Sequence, residues 1–215
     1  MQADLGVHRI TNDLNQYDGV SLTADSRTLA TVQLEFSSDA WVALIAEADN
    51  AKPITSGGHT DWSTWSPDGR IVCTKVTGGG VGNIWVMESD GRNASQLTVN
   101  TEGTNYAPRV SPDGRRFVFA SPSEHIWRMD MDGNNAKQLT NSPLDSFDLP
   151  DFSPDGKWVV YTKWGAEKGI SKVSIEGGDP VRLNDAAAHS PVISPDGKWI
   201  AYSYWDKKAT PKQVT

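Results

Sequence analysis

Five positions in this 215-residue chain could work together as a binding site: Asp18, Asp61, Tyr106, Asp148 and His189. Each stands five residues ahead of one copy of a recurring four-residue turn, so all five share one phase of a repeat. If the repeats are set around an axis, three carboxylates, a phenol and an imidazole face one opening. Such a funnel is polar and mostly anionic, which suits a cation, an amine or a basic peptide. Tyr106 and His189 interrupt the acidic column and are the expected ligand contacts. Arg109, a little further along, would offset charge inside the opening. The alternative is structural: an Asp at this phase accepts backbone hydrogen bonds at the entry of a strand.

Other chemistries find less support. The four histidines, His8, His59, His125 and His189, fall at different phases, and no His-x-x-x-His or paired-Cys spacing exists. A transition metal needs three or four converging ligands. Only the acidic column could offer a carboxylate-rich site, of a kind that would take calcium; no metal and no cofactor is expected. No Gly-x-Ser-x-Gly elbow is present for nucleophilic hydrolysis. The run Gly78-Gly79-Gly80-Val81-Gly82 lacks the Gly-Lys-[Ser/Thr] ending of a phosphate loop and opens no helix, so it reads as a hairpin. Among nine tryptophans, Trp41, Trp85 and Trp127 recur at one phase and read as packing. Trp65 shares an apolar column with Leu22, Val110, Phe152 and Ile193 and reads as core. Trp62 has Gly19, Ala107, Leu149 and Ser190 as counterparts, and Trp164 and Trp205 lie in the b–c loops; these three are the candidate exposed anchors for a partner.

The elements that must position these residues are set by the turn itself. Ser-Pro-Asp-Gly begins at Ser66, Ser111, Ser153 and Ser194, and a decayed copy, Thr23-Ala24-Asp25-Ser26, precedes them. The steps between starts are 43, 45, 42 and 41 residues. In each copy Pro presets φ, Asp tolerates the next position and Gly supplies positive φ at the exit. The third repeat reads as four strands: 106–110 (a), 116–120 (b), 126–130 (c) and 137–140 (d), with Asp132-Gly133 as the c–d hairpin signal. The b segments, such as Ile71-Val72-Cys73-Thr74, Phe117-Val118-Phe119-Ala120 and Trp158-Val159-Val160-Tyr161, are continuous apolar runs. A strand apolar on both sides is buried on both faces. A period in the low forties with this text predicts an all-β propeller of four-stranded antiparallel blades.

The text I-W-x-M-x-x-D-G, then Q-L-T, then S-P-D-G-[RK], resembles the WD-like propeller repeat of TolB and its relatives, from His8 to about Tyr204. The opening stretch, Arg9-Ile10-Thr11-Asn12-Asp13-Leu14-Asn15 with Gly19-Val20-Ser21-Leu22-Thr23-Ala24-Asp25, looks most like propellers attached to bacterial Ser/Thr kinases. The resemblance implies a sensor or interaction module of a larger bacterial protein, outside the cytoplasm or in the periplasm. Some related propellers are lyases with a cluster of channel histidines, which this chain lacks.

The repeats define one domain over 1–215, with blades near 17–55, 61–98, 106–140, 148–184 and 189–215 and an N-terminal strand at 7–11. The simplest closure is a five-bladed ring in which the two termini share one blade, residues 7–11 supplying strand d. The rival is a fragment of a longer propeller, which would self-associate, whereas a closed ring would be a monomer. The net charge of −7 and the pI of about 5.0 disfavour nucleic acid and anionic membrane surfaces. Cys73 is single, so no intramolecular disulfide forms. No apolar run is long enough to span a bilayer, and residues 1–4 lack the basic and apolar regions of a secretion signal. The expected function is non-enzymatic: a scaffold that binds a protein or a small cationic or polar ligand. The alternative is an enzyme, metal-assisted or lyase-like, with its site in the central channel. Ser26 stands where the other turns carry glycine, at a strain of about 1 kcal/mol if the turn keeps its left-handed residue. Ser26→Gly is expected to raise the melting temperature slightly; a drop would mean that this turn is built differently.

Overall fold

The structure, a computed structural model, describes residues 16–25, 27, 29–34, 37–77, 80–99, 103–141, 149–163, 168–185 and 188–204, with backbone alone at 16–20, 22, 29, 33 and 34. The first repeat contributes Gln16–Leu22 (β1), Leu29–Leu34 (β2), Trp41–Val42 (β3) and Lys52–Pro53 (β4), with a 3-10 turn at Ile45–Asn50. The second contributes His59–Trp65 (β5), Ile71–Thr77 (β6), Val81–Met87 (β7) and Ser95–Gln96 (β8). The third holds Tyr106–Val110 (β9), Arg116–Ala120 (β10), Ile126–Asp130 (β11) and Lys137–Gln138 (β12). The fourth holds Asp151–Phe152 (β13), Trp158–Lys163 (β14), Gly169–Ser174 (β15) and Val181–Arg182 (β16), and the fifth Ala188–Ile193 (β17) and Ile200–Tyr204 (β18). The three middle repeats are four-stranded antiparallel meanders. Their inner strands stand side by side, β5 against β9, β9 against β13 and β13 against β17. Sheets joined along their first strands in this way are the blades of a β-propeller.

The repeated turn is held by the same bonds in each copy. In blade 3 the Gly114 N–H donates to the Ser111 carbonyl at 2.9 Å, the Ser111 hydroxyl donates to Asp113 Oδ1 at 2.6 Å, and the Arg115 N–H donates to that same oxygen at 3.1 Å. Gly114 sits at φ +69°, a region that disfavours any Cβ. A Cβ placed there would lie 3.5 Å from the ring of Pro67, and one on Gly156 would lie 3.6 Å from Pro112. The turns of blades 3, 4 and 5 therefore lean on the proline of the turn before them, and there the motif ties neighbouring blades as well as folding its own.

The continuous apolar runs are explained by two covered faces. Val72, Ile84, Val86 and Leu97 of blade 2 meet Phe117, Phe119, Met129 and Met131 of blade 3. The opposite face of blade 3, Val118, Ile126 and Leu139, meets Phe152, Val159, Tyr161 and Val173 of blade 4. Charge and polar bonds latch the rim. Glu176 of blade 4 takes a 2.6 Å hydrogen bond from Arg116 of blade 3 on its carboxylate and another from Lys137 Nζ on its carbonyl. Asp151 Oδ2 of blade 4 accepts the Ile193 N–H of blade 5 at 2.8 Å.

Strand d is only two residues long, and the Q-L-T text completes it. The Thr98 and Thr140 hydroxyls accept the N–H groups of Ile84 and Ile126 at 2.9 and 3.0 Å. Gln96 and Gln138 in turn donate to the carbonyls of those threonines. Thr55 does the same for Ala40, and Asn184 for Ile170. A side chain thus stands in for strand backbone that has run out.

Blade 1 departs from the expected four-stranded sheet, since β1–β2 and β3–β4 form two separate pairs. The Ser38 N–H and carbonyl bond instead to Gly58 and Thr60 at the edge of blade 2. Trp65, expected in the core, is 56% exposed. Beside it blade 1 offers Ala40, where blades 2, 3 and 4 carry Ile84, Ile126 and Ile170, too little volume to cover an indole. A cavity of about 70 Å³ remains beside Ala40, Trp41, Val42, Ile54 and Trp65. The b strand of blade 4 begins at Trp158 as its apolar run suggests, whereas that of blade 5 begins at Ile200, one residue after Trp199. Ser111, Ser153 and Ser194 donate their N–H groups to Arg116, Trp158 and Trp199, which places these three at one register position ahead of the core. Trp199 is 73% exposed, and Trp158 lies beneath the Lys172 ammonium, 4.4 Å from its ring centre. The strand expected at 7–11, the shared closing blade and Ser26 lie outside the described residues.

Two expectations follow from this packing. Ala40→Ile restores the side chain that three other blades carry and should raise the melting temperature by about 2–4 °C; a lower value would show that the cavity cannot accept it. In the turns, the Arg70 guanidinium first and the Ser66 hydroxyl second draw Asp68 down from 3.8 to about 2. The Thr23, Ser111, Ser153 and Ser194 hydroxyls lower Asp25, Asp113, Asp155 and Asp196 in the same direction. A carboxylate with a lowered folded value stabilises the fold above its unfolded value, and that contribution is lost as pH falls through the folded one. Thermal melts should lose stability between about pH 4 and pH 2, and Asp68→Asn should flatten that loss; an unchanged slope would exclude the turn carboxylates as its source.

Candidate binding site at the strand starts

The column predicted to face the opening occupies one register position on the inner strands. Asp18 stands opposite Val32, Asp61 opposite Thr74, Tyr106 opposite Ala120 and His189 opposite Ser203. Asp148 lies outside the described residues, as does the side chain of Asp18. Directly after this position the pairing slips in each of these four strands. The slip leaves a non-glycine residue with positive φ in three of them: Trp62 at 45°, Ala107 at 55° and Ser190 at 49°. A bulge of this kind twists the strand and re-aims the side chains beside it. Proline follows at 108, 150 and 191, where the broken ladder asks for no N–H donor.

The residues brought to this edge differ in accessibility. Asp61 is half-buried, and its Oδ1 accepts the Ser38 hydroxyl at 3.3 Å. Tyr106 is 2% exposed and packs in the core between blades 3 and 4, so its ring is taken up by packing and is not the open ligand contact expected of it. That ring lies 5.7 Å from the ring of Trp62, tilted by 45°. Trp62 itself is 43% exposed. His189 and Arg109 are both half-buried. Arg109 stands opposite Val118 on the inner strand of blade 3. Of the candidate rim anchors, Trp62 is open to solvent, while Trp164 and Trp205 lie outside the described residues.

One cluster was not legible in the sequence. Ser38 forms a lone parallel bridge with His59, and its hydroxyl lies 3.2 Å from His59 Nδ1 as well as within reach of Asp61. Serine, histidine and aspartate in contact suggest acyl transfer, but the order is wrong for it. The serine is the middle member. In an acyl-transfer triad the histidine stands between the other two, so this order does not reproduce one. The other nucleophile, Cys73, is fully buried, and burial pushes its thiol up to about 11. Among the described residues no group of three or more His, Cys, Asp or Glu side chains could hold a metal ion. No helix among them is long and apolar enough to cross a membrane.

With this geometry in place, the relatives become informative. A family model described as the TolB beta propeller domain matches residues 94–214. The chain belongs to this TolB propeller family. A protein assigned as TolB from Agrobacterium tumefaciens is similar in structure, with 20% identity over 92% of this chain and 73% of that one and a TM-score of 0.69. TolB from Acinetobacter baumannii is 21% identical over 90% of this chain, which spans 47% of that protein, with a TM-score of 0.65. A chain of a nidogen/laminin complex is 13% identical over 73% of this chain and 61% of its own, with a TM-score of 0.57. At these identities the likeness is one of fold. No curated protein matches the chain in sequence.

Proposed function

We propose that this TolB-family propeller is a non-enzymatic binding module that recognises a basic or polar partner at the opening lined by its inner strands. The observation that carries this reading is the recurring bulge. Four inner strands break their ladder directly after the column that holds Asp18, Asp61, Tyr106 and His189. Backbone held in a disfavoured region persists where the surrounding structure over-determines it, and such sites cluster where ligands are met. The TolB propeller fold is typically a protein-binding module, which agrees with an exposed Trp62 beside the half-buried Asp61, Arg109 and His189 at one end of the inner strands. The negative charge of the chain favours a cationic occupant through long-range attraction. The central position of Ser38 between His59 and Asp61 further supports binding over hydrolysis, because an acyl-transfer triad needs the histidine in the middle.

The reading is tested by calorimetric titration with a tetralysine peptide. The double variant Asp61→Asn, Asp148→Asn should bind about tenfold more weakly or worse, with its melting temperature within about 2 °C of the parent. Equal affinity in parent and variant would remove the acidic opening as the binding site.

A further inference from the structure

The opening is not uniform, and blade 2 presents a pairing that no other described blade repeats. Its column residue is a carboxylate, Asp61, and the bulged residue next to it is a tryptophan. The equivalent pairs are Tyr106 with Ala107 in blade 3 and His189 with Ser190 in blade 5. Asp61 has the Ser38 hydroxyl on Oδ1 at 3.3 Å, a long bond, and no lysine or arginine among the described residues lies within ion-pair distance of it. A half-buried carboxylate so sparsely satisfied is unusual, because taking charge out of water calls for a cation or several donors. Elsewhere in this chain exposed carboxylates do find arginine: Asp68 takes Arg70 at 2.8 Å, Asp90 takes Arg92 at 2.6 Å and Glu176 takes Arg116 at 2.6 Å.

Trp62 supplies the second half. Its φ of 45° is costly for a bulky side chain, and no turn requires an indole there, since Ala107 and Ser190 fill the same bulge. Its ring is propped by the buried ring of Tyr106 from the next blade, while 43% of the residue stays in solvent. The indole is thereby fixed in place with part of its surface open. An exposed indole on the residue next to a carboxylate lacking a cation offers the chemistry that recognises a guanidinium, which stacks on an aromatic ring and hydrogen-bonds a carboxylate through its fork. An ammonium could use the charge but not the fork.

We propose that Asp61 and Trp62 form a subsite for an arginine side chain presented by a partner protein. This rests on the reading of the opening as a binding surface and adds the identity of one recognised group. Tetra-arginine and tetralysine peptides, titrated in parallel against the whole chain, test it. The parent should bind tetra-arginine about fivefold or more tightly than tetralysine. Trp62→Asn, which suits a left-handed residue and so keeps the bulge, should abolish that preference, and Trp62→Tyr should retain most of it. Asp61→Asn should weaken tetra-arginine about tenfold, whereas Asp196→Asn, which removes the same charge in a turn at the far end of an inner strand, should change affinity less than twofold. Equal binding of the two peptides by the parent, or an arginine preference that survives in Trp62→Asn, overturns the subsite. Both results leave the acidic opening standing if Asp61→Asn, Asp148→Asn still weakens tetralysine, so the two readings fail separately. No binding of either peptide by the parent overturns both.

Discussion

The fold depends on sheets that bury each other. Val118, Ile126 and Leu139 leave water only because Phe152, Val159 and Val173 of the next blade lie against them, and the same holds for Val72, Ile84 and Leu97 against Phe117, Phe119 and Met129. Each fully buried aliphatic or aromatic side chain contributes roughly 1.5–3 kcal/mol. No blade could collect that burial alone, since a lone four-stranded sheet would leave both of its apolar faces in solvent. Stability is therefore a property of neighbouring pairs, in the manner of other repeat architectures. The ends of the described arc show the same rule from the other side. Where blade 1 offers only Ala40, Trp65 stays exposed, and on blade 5 Trp199, Tyr202 and Tyr204 are open to solvent.

Around that packing the chain repeats a small set of polar devices, and each solves a backbone problem created by the blades. The Ser-Pro-Asp-Gly turn satisfies its own donors through Asp113 and its counterparts while its glycine accommodates the preceding proline. The Q-L-T threonine supplies an acceptor where strand d has ended. The latches made by Glu176 and Asp151 fix the angle between sheets without taking part in their cores. Their independence from the opening matters for function, because the residues at the strand starts can vary without disturbing the turns at the opposite ends of the same strands. Asp61, Tyr106 and His189 share one register position and three chemistries, while Ser66, Ser111 and Ser194 at the other end remain alike.

Legibility followed locality. The turns, the four-strand meander and the doubly buried b strands were readable because each is specified within one repeat, by proline, glycine and apolar runs. Trp65 shares a column with core residues, but its burial depends on the volume of Ala40, twenty-five positions earlier. Trp158 opens β14 as its apolar run suggests, whereas Trp199 stands just ahead of β18 and stays exposed, a difference the two matching segments do not show. Tyr106 belonged to the polar column by spacing, and its ring turned into the core instead. The column itself was legible, whereas the bulge that follows it was not, since Trp62, Ala107 and Ser190 share no residue type that announces a left-handed backbone.

By itself the sequence determined the architecture, because a period near forty residues with turn chemistry at a fixed phase admits few folds, and it determined which positions are equivalent from blade to blade. Only the tertiary structure decided which of those equivalent positions meet solvent and which meet each other. Ser38 reaches His59 and Asp61 across a gap of more than twenty residues, through a bridge that uses backbone atoms and so leaves no mark on side-chain pattern. Trp62 is held beside Tyr106 of another blade by the same kind of long-range placement. Exposure and contact are properties of pairs of distant segments, and a one-dimensional repeat records the members of such pairs without recording that they pair.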